Sequence, residues 1–88
     1  MKIKEGFMLR TVAGQTIVVP VGSAAVSFNG MISLNGSGAF LWGKLTEEND
    51  RDGLIKALLD EYDVTKEVAS CGVDMFLKKM REAKLIDE

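Results

Sequence analysis

The sequence predicts an α+β fold in which strands come first and helices follow. Three observations predict it. Two runs rich in β-branched and apolar residues, FMLRTV (7–12) and QTIVVPV (15–21), flank Ala13-Gly14. A short apolar stretch, MISL (31–34), stops at Asn35-Gly36-Ser37-Gly38. From Ala39 onward, apolar residues recur at three- and four-residue spacing, the period of an amphipathic helix.

Taken in order, Ala13-Gly14 is short enough for a tight hairpin between the first two strands. Pro20 cannot donate to a ladder, so it belongs at a strand end or on an edge. The stretch GSAAVSFNG (22–30) reads two ways. Asn29-Gly30 is a strong turn signal that would fold AVSF back on MISL, and a plain loop serves equally. MISL is the third strand, and alternation puts Ile32 and Leu34 on one face, Met31 and Ser33 on the other. The glycines of NGSG suit a sharp strand-to-helix corner.

Asn35 or Ser37 can cap a helix through Ala39, Phe40, Trp42 and Leu45. Trp42 is read as core, at its margin because the indole N–H needs a partner. Asn49 or Asp50 can cap the next helix, RDGLIKALLDEY, whose Leu54, Leu58 and Tyr62 share a side with Ile55 and Leu59 beside them. Gly53 weakens its first turn by about 1 kcal/mol relative to alanine. Asp63 or Thr65 then caps a longer helix reaching about Ala83. Ala69, Val73, Phe76, Met80 and Lys84, with Leu77, mark its core line. Val68, Cys71, Gly72, Met75 and Lys79 mark a second line that a helix with one buried face does not need. Either the helix is sandwiched or that line faces a partner.

The totals narrow the function. With 88 residues, 47% apolar and 27% charged, residues 1–88 read as one globular domain. A net charge of −2 disfavours nucleic acid. No apolar run approaches the roughly 20 residues of a membrane span, the start MKIKEGF lacks a signal peptide's apolar stretch, and one cysteine forms no internal disulfide. A cytoplasmic protein is the expectation. There is no histidine for acid–base work, and one cysteine makes no zinc site. NGSG lacks the GK[ST] ending of a phosphate loop. Cys71 has no partner base, and Glu47, Glu48, Asp50 and Asp52 lack EF-hand spacing. No cofactor and no enzymatic activity are expected.

FNGMISLNGSGAFLWGKL, then DGLIKALLDEYDV, then VDMFLKKMREAKLI, together resemble the PqqD-like family, the coenzyme PQQ synthesis protein D-like recognition elements. Leu34-Asn35 with Gly38 before Leu41-Trp42, Tyr62-Asp63-Val64, and Val73 with Phe76-Leu77 and Met80 carry the resemblance. It implies a winged-helix-like fold, a three-stranded antiparallel sheet followed by three helices, without catalytic residues. It also implies binding of the leader segment of a ribosomally made precursor peptide, presented to a modifying enzyme that is often a radical S-adenosylmethionine enzyme. The leader adds as a strand beside the third strand and against the third helix. Carried onto this chain, the peptide site is Met31, Ile32, Ser33 and Leu34 on the strand and Val68, Cys71, Gly72, Met75, Lys78 and Lys79 on the helix. The charge of the two lysines suits acidic leader residues at the rim, tuning on-rate more than affinity. The chain departs from the family at Gly36-Ser37, where a bulkier polar pair is usual, and at Gly72, where an acidic residue is common.

Two other readings follow from the residues. A winged-helix nucleic-acid module would use the basic end of the last helix (Lys78, Lys79, Arg81, Lys84). A self-associating module would pair the exposed strand with its own copy as a homodimer, where a peptide binder stays monomeric.

Overall fold

The computed structural model describes residues 1–22 and 32–87. Met31, the Asn29-Gly30 turn and the expected pairing of AVSF with MISL lie outside the described residues. Strand β1 (Lys2–Ile3) is followed by β2 (Phe7–Val12), β3 (Gln15–Pro20) and β4 (Ile32–Leu34). Helices α1 (Gly36–Leu45), α2 (Arg51–Glu61) and α3 (Lys66–Glu82) come next, and β5 (Ile86–Asp87) ends the described chain. The three-stranded antiparallel sheet runs in the order β2-β3-β4, so the predicted strands-then-helices architecture is the one observed.

The β2–β3 hairpin closes through Ala13 and Gly14, both at positive φ, 51° and 79°. That is the type I′ geometry whose twist matches the flanking strands. Alanine bears a left-handed penalty there that asparagine largely escapes. Ala13→Asn is expected to stabilise the domain by about 0.5–1 kcal/mol. Urea denaturation reads this as a higher midpoint at unchanged slope, and an unchanged midpoint would refute it.

Each helix starts on a side-chain cap. Asn35, Asp50 and Thr65 accept from the backbone N–H groups of Gly38, Gly53 and Val68. These settle the three choices that the sequence left open. The first helix begins at Gly36, so NGSG forms its cap and first turn rather than a corner before it.

The core joins the inner sheet face to all three helices. Val18 and Leu34 meet Leu41, Trp42 and Leu45 of α1, Leu54, Ile55 and Leu58 of α2, and Ala69, Val73, Phe76, Leu77 and Met80 of α3. Phe7, Leu9 and Ile32 pack against it half-buried. Leu59 and Tyr62 are exposed instead, Tyr62 packing edge-on against Phe40 at 5.7 Å.

Lys84, placed by spacing on the core line of α3, is exposed. The helix ends at Glu82, and Lys84 turns left-handed at φ 59°. The Leu85 N–H then reaches back 2.9 Å to the Met80 carbonyl, a Schellman ending. Leu85 is buried in place of Lys84, and Ile86 pairs with Ile3 in a second, two-stranded ladder, β1–β5, which the sequence did not announce.

Candidate functional site

Among the described residues β4 is an edge of the sheet, and the hairpin register tells which of its groups turn away from β3. In a two-residue hairpin the flanking residues, Val12 and Gln15, form a hydrogen-bonded pair. Such pairs alternate along the ladder, so Arg10 and Ile17 also exchange bonds. Ile17 therefore turns both backbone groups toward β2. Thr16 and Val18 turn theirs toward β4, where they meet Leu34 and Ile32. Ser33, opposite Ile17, is left with its N–H and C=O aimed at the open edge. One contact already reaches that edge: the Lys79 ammonium donates to the Ser33 carbonyl at 2.8 Å.

Helix α3 flanks this edge. Its core line is buried from Ala69 to Met80, while Val68 is 58% and Met75 69% exposed. Cys71 is exposed and its Sγ lies 4.0 Å from Met75 Sδ. Gly72, without a side chain, is half-buried. The helix thus presents an apolar stripe to solvent beside the outward-facing backbone groups of Ser33.

Between them lies a cavity of about 290 Å³. Leu34, Ser37, Gly38 and Leu41 form one wall, Gly72, Met75 and Phe76 the other, with Lys79 at the rim. A Cβ on Gly38 would stand 3.1 Å from the capping Oδ1 of Asn35 and 3.4 Å from Leu34 Cβ. The glycine therefore lets the first turn of α1 close tightly over the end of β4. A shallower depression continues along α3 past Ser70, Cys71 and Asp74.

Asp74, which lines this depression together with Glu67, is held by Arg51 of α2 through bonds of 2.6 Å from Nε and 3.0 Å from Nη2. The hydrogen bond from Arg51 keeps the Asp74 carboxyl below the ordinary aspartate value, and the Arg51 guanidinium is raised in turn. Both groups are exposed, so this pair matters for where it puts the charge rather than for stability.

The structure brings Leu34, Gly72, Met75 and Lys79 together around the cavity and places Cys71 in the adjoining depression. Ile32 and Leu34 face their backbone groups to β3, so of the described strand residues Ser33 supplies the open edge. Val68 and Lys78 are exposed on α3 but line neither concavity. Met31 lies outside the described residues. The reading of the residues missed Asn35, Ser37, Gly38, Leu41 and Phe76 as lining. The signal was the glycine at position 38, three residues after a capping asparagine. Among the described residues no cluster of three or more His, Cys, Asp or Glu could hold a metal ion. No helix among them is long and apolar enough to cross a membrane.

These features define a class: a small α+β domain whose described strands leave one sheet edge open beside a helix with an apolar solvent-facing stripe. The chain belongs to the family of coenzyme PQQ synthesis protein D (PqqD), whose model matches residues 15–86. It is similar in fold to a solved structure described as TbiB1 in complex with the TbiA(beta) leader peptide. The TM-score is 0.73 at 17% sequence identity, covering 99% of this chain and 95% of that one. A comparison with curated proteins returned no match.

Proposed function

We propose that this chain is a non-catalytic peptide-binding element. It takes the leader segment of a ribosomally synthesised precursor as an added strand on β4 and presents the precursor to a modifying enzyme, such as a radical S-adenosylmethionine enzyme. The observation that carries the reading is the outward-facing backbone of Ser33, its N–H without a partner among the described residues and its carbonyl held only by Lys79, beside the exposed stripe of α3. Family membership supports it, as does the likeness to TbiB1, which was solved with a leader peptide.

The energetics assign the work. Each edge hydrogen bond contributes roughly 0.5–1.5 kcal/mol net. Ordering a flexible peptide costs about 2–5 kcal/mol. Backbone pairing through so short an edge is therefore marginal, and side-chain burial must supply most of the affinity, about 1.5–3 kcal/mol for each apolar residue. The 290 Å³ cavity falls at the lower bound of the roughly 300–1,000 Å³ typical of small-molecule sites. That volume, open along one side to a strand edge, suits one or two peptide side chains.

The test is selection of random twelve-residue peptides displayed against the full chain, followed by amide NMR titration with the synthesised leading peptide. Shifts are expected at Ser33, Gly38, Gly72, Met75 and Lys79. No enrichment, or shifts centred on the β2 edge, would overturn the proposal. Because Cys71 is exposed beside Met75, alkylating its thiol with a bulky maleimide is expected to lower affinity for that peptide at least fivefold, about 1 kcal/mol. Calorimetry on the alkylated chain checks this, and unchanged affinity would place the peptide elsewhere.

A further inference from the structure

We propose that Lys79 is a latch on the open sheet edge that a carboxylate of the incoming peptide releases; this rests on the strand-addition reading above. The bound peptide then carries aspartate or glutamate at one fixed position, next to the residue paired with Ser33 and on the side that α3 covers.

The Lys79 ammonium donates to the Ser33 carbonyl across 46 residues of sequence at 2.8 Å. That carbonyl is the acceptor an added strand must use. A charged donor holds a carbonyl more strongly than a neutral amide N–H does. A peptide without an acid therefore has two poor options. It shares the carbonyl with Lys79 or forgoes the bond, or it displaces the ammonium into water and trades a charge-assisted bond for a neutral one. A carboxylate removes the conflict by accepting from Lys79 as the peptide N–H takes over the Ser33 carbonyl.

Alternation along the added strand sets where that carboxylate sits. The residue paired with Ser33 points to the outer sheet face, as Ser33 does, and its neighbours point to the side of Leu34 and α3. Among the described residues no carboxylate lines the cavity that Lys79 rims, and of the two acids in the adjoining depression, Glu67 and Asp74, the nearer along the helix, Asp74, is engaged by Arg51. Lys78, exposed beside it, adds charge of the same sign. In the free protein the same latch discourages β4 from pairing with another copy, because a lysine across an edge is a known device against strand-to-strand association.

The experiment repeats the display selection on the wild-type chain, on Lys79→Met and on Lys79→Gln, each checked for folding by circular dichroism. The wild-type pool is expected to fix an acidic residue at one position among apolar ones, and the Lys79→Met pool to lose the acid while keeping the apolar positions. In the leading wild-type peptide, changing the acid to its amide is expected to weaken binding to wild type about tenfold, or 1.4 kcal/mol. Binding to either variant should change less than about twofold, the carboxylate's partner being gone. The wild-type comparison of acid with amide needs no variant to fold. Apolar enrichment with no acid preference, or an acid preference that survives Lys79→Met, overturns the latch and leaves peptide binding standing. Failure of any peptide to enrich on any of the three chains overturns the binding reading and the latch together.

Discussion

Met75→Glu is expected to weaken binding of the selected peptide about thirtyfold or more while the domain stays folded. Met75 is 69% exposed, so the folded chain gains or loses little when its side chain changes. It lines both the cavity and the depression beside Cys71, so a strand laid between β4 and α3 must bury it. Losing one buried apolar side chain removes about 2 kcal/mol, or thirtyfold in the dissociation constant. The glutamate adds the cost of desolvating a charge against apolar peptide residues. Calorimetry gives the affinity. Thermal unfolding is expected to move by no more than about 5 °C, the shift roughly 1 kcal/mol produces in a domain this small. Unchanged affinity would remove α3 from the binding face. A collapsed melting transition would mean that Met75 supports the core, against its exposure.

A pair of proline substitutions separates the edge from the ladder. Ile32→Pro is expected to destabilise the domain by about 3 kcal/mol or more, and Ser33→Pro by about 1 kcal/mol. Ile32 turns its N–H toward Val18 and packs half-buried on the core. Proline there deletes a ladder bond and most of that packing. Ser33 turns its N–H outward, the one orientation in which an edge strand accepts proline. The same substitution removes the donor an added strand needs and puts ring atoms where the peptide backbone would lie. Ser33→Pro is therefore expected to weaken peptide binding about tenfold or more, from the lost bond and that clash. Urea denaturation measures the first effect and calorimetry the second. If Ser33→Pro unfolds the chain and Ile32→Pro does not, the ladder is in the opposite phase and the open groups belong to Ile32 and Leu34.

Much of the fold was legible because it rests on neighbours a few residues apart. Residues 7–12 and 15–20 carry β-branched runs around a two-residue loop, and they pair as read. The core line of α3 from Ala69 to Met80 is a spacing of three and four residues, and it is buried. The spacing failed at Lys84, because a period continues on paper beyond the residue where the helix ends. Nor does spacing tell what surrounds Gly53, where a Cβ would meet the Asn49 side chain and stand 3.0 Å from the capping Oδ1 of Asp50.

The candidate site was legible in outline and not in detail. An exposed second stripe on the last helix was readable from Val68, Cys71 and Met75, since too many apolar residues stood off the core line. That Val68 and Lys78 line neither concavity, while Gly38, Leu41 and Phe76 line one, depends on how α1 and α3 meet β4. No periodicity within one element carries that information.

By itself, the sequence determined the order of strands and helices, the candidate caps and which face of the last helix is buried. Those properties come from backbone propensity and side-chain period, which act over a turn or a strand. The tertiary structure alone decided that the chain ends pair as β1 and β5, that Ser33 and not its neighbours faces the open edge, and that Lys79 holds its carbonyl. Each of these joins residues far apart in the chain, or depends on hydrogen-bond phase passed from one strand to the next, and it exists only once the sheet and the helix have packed.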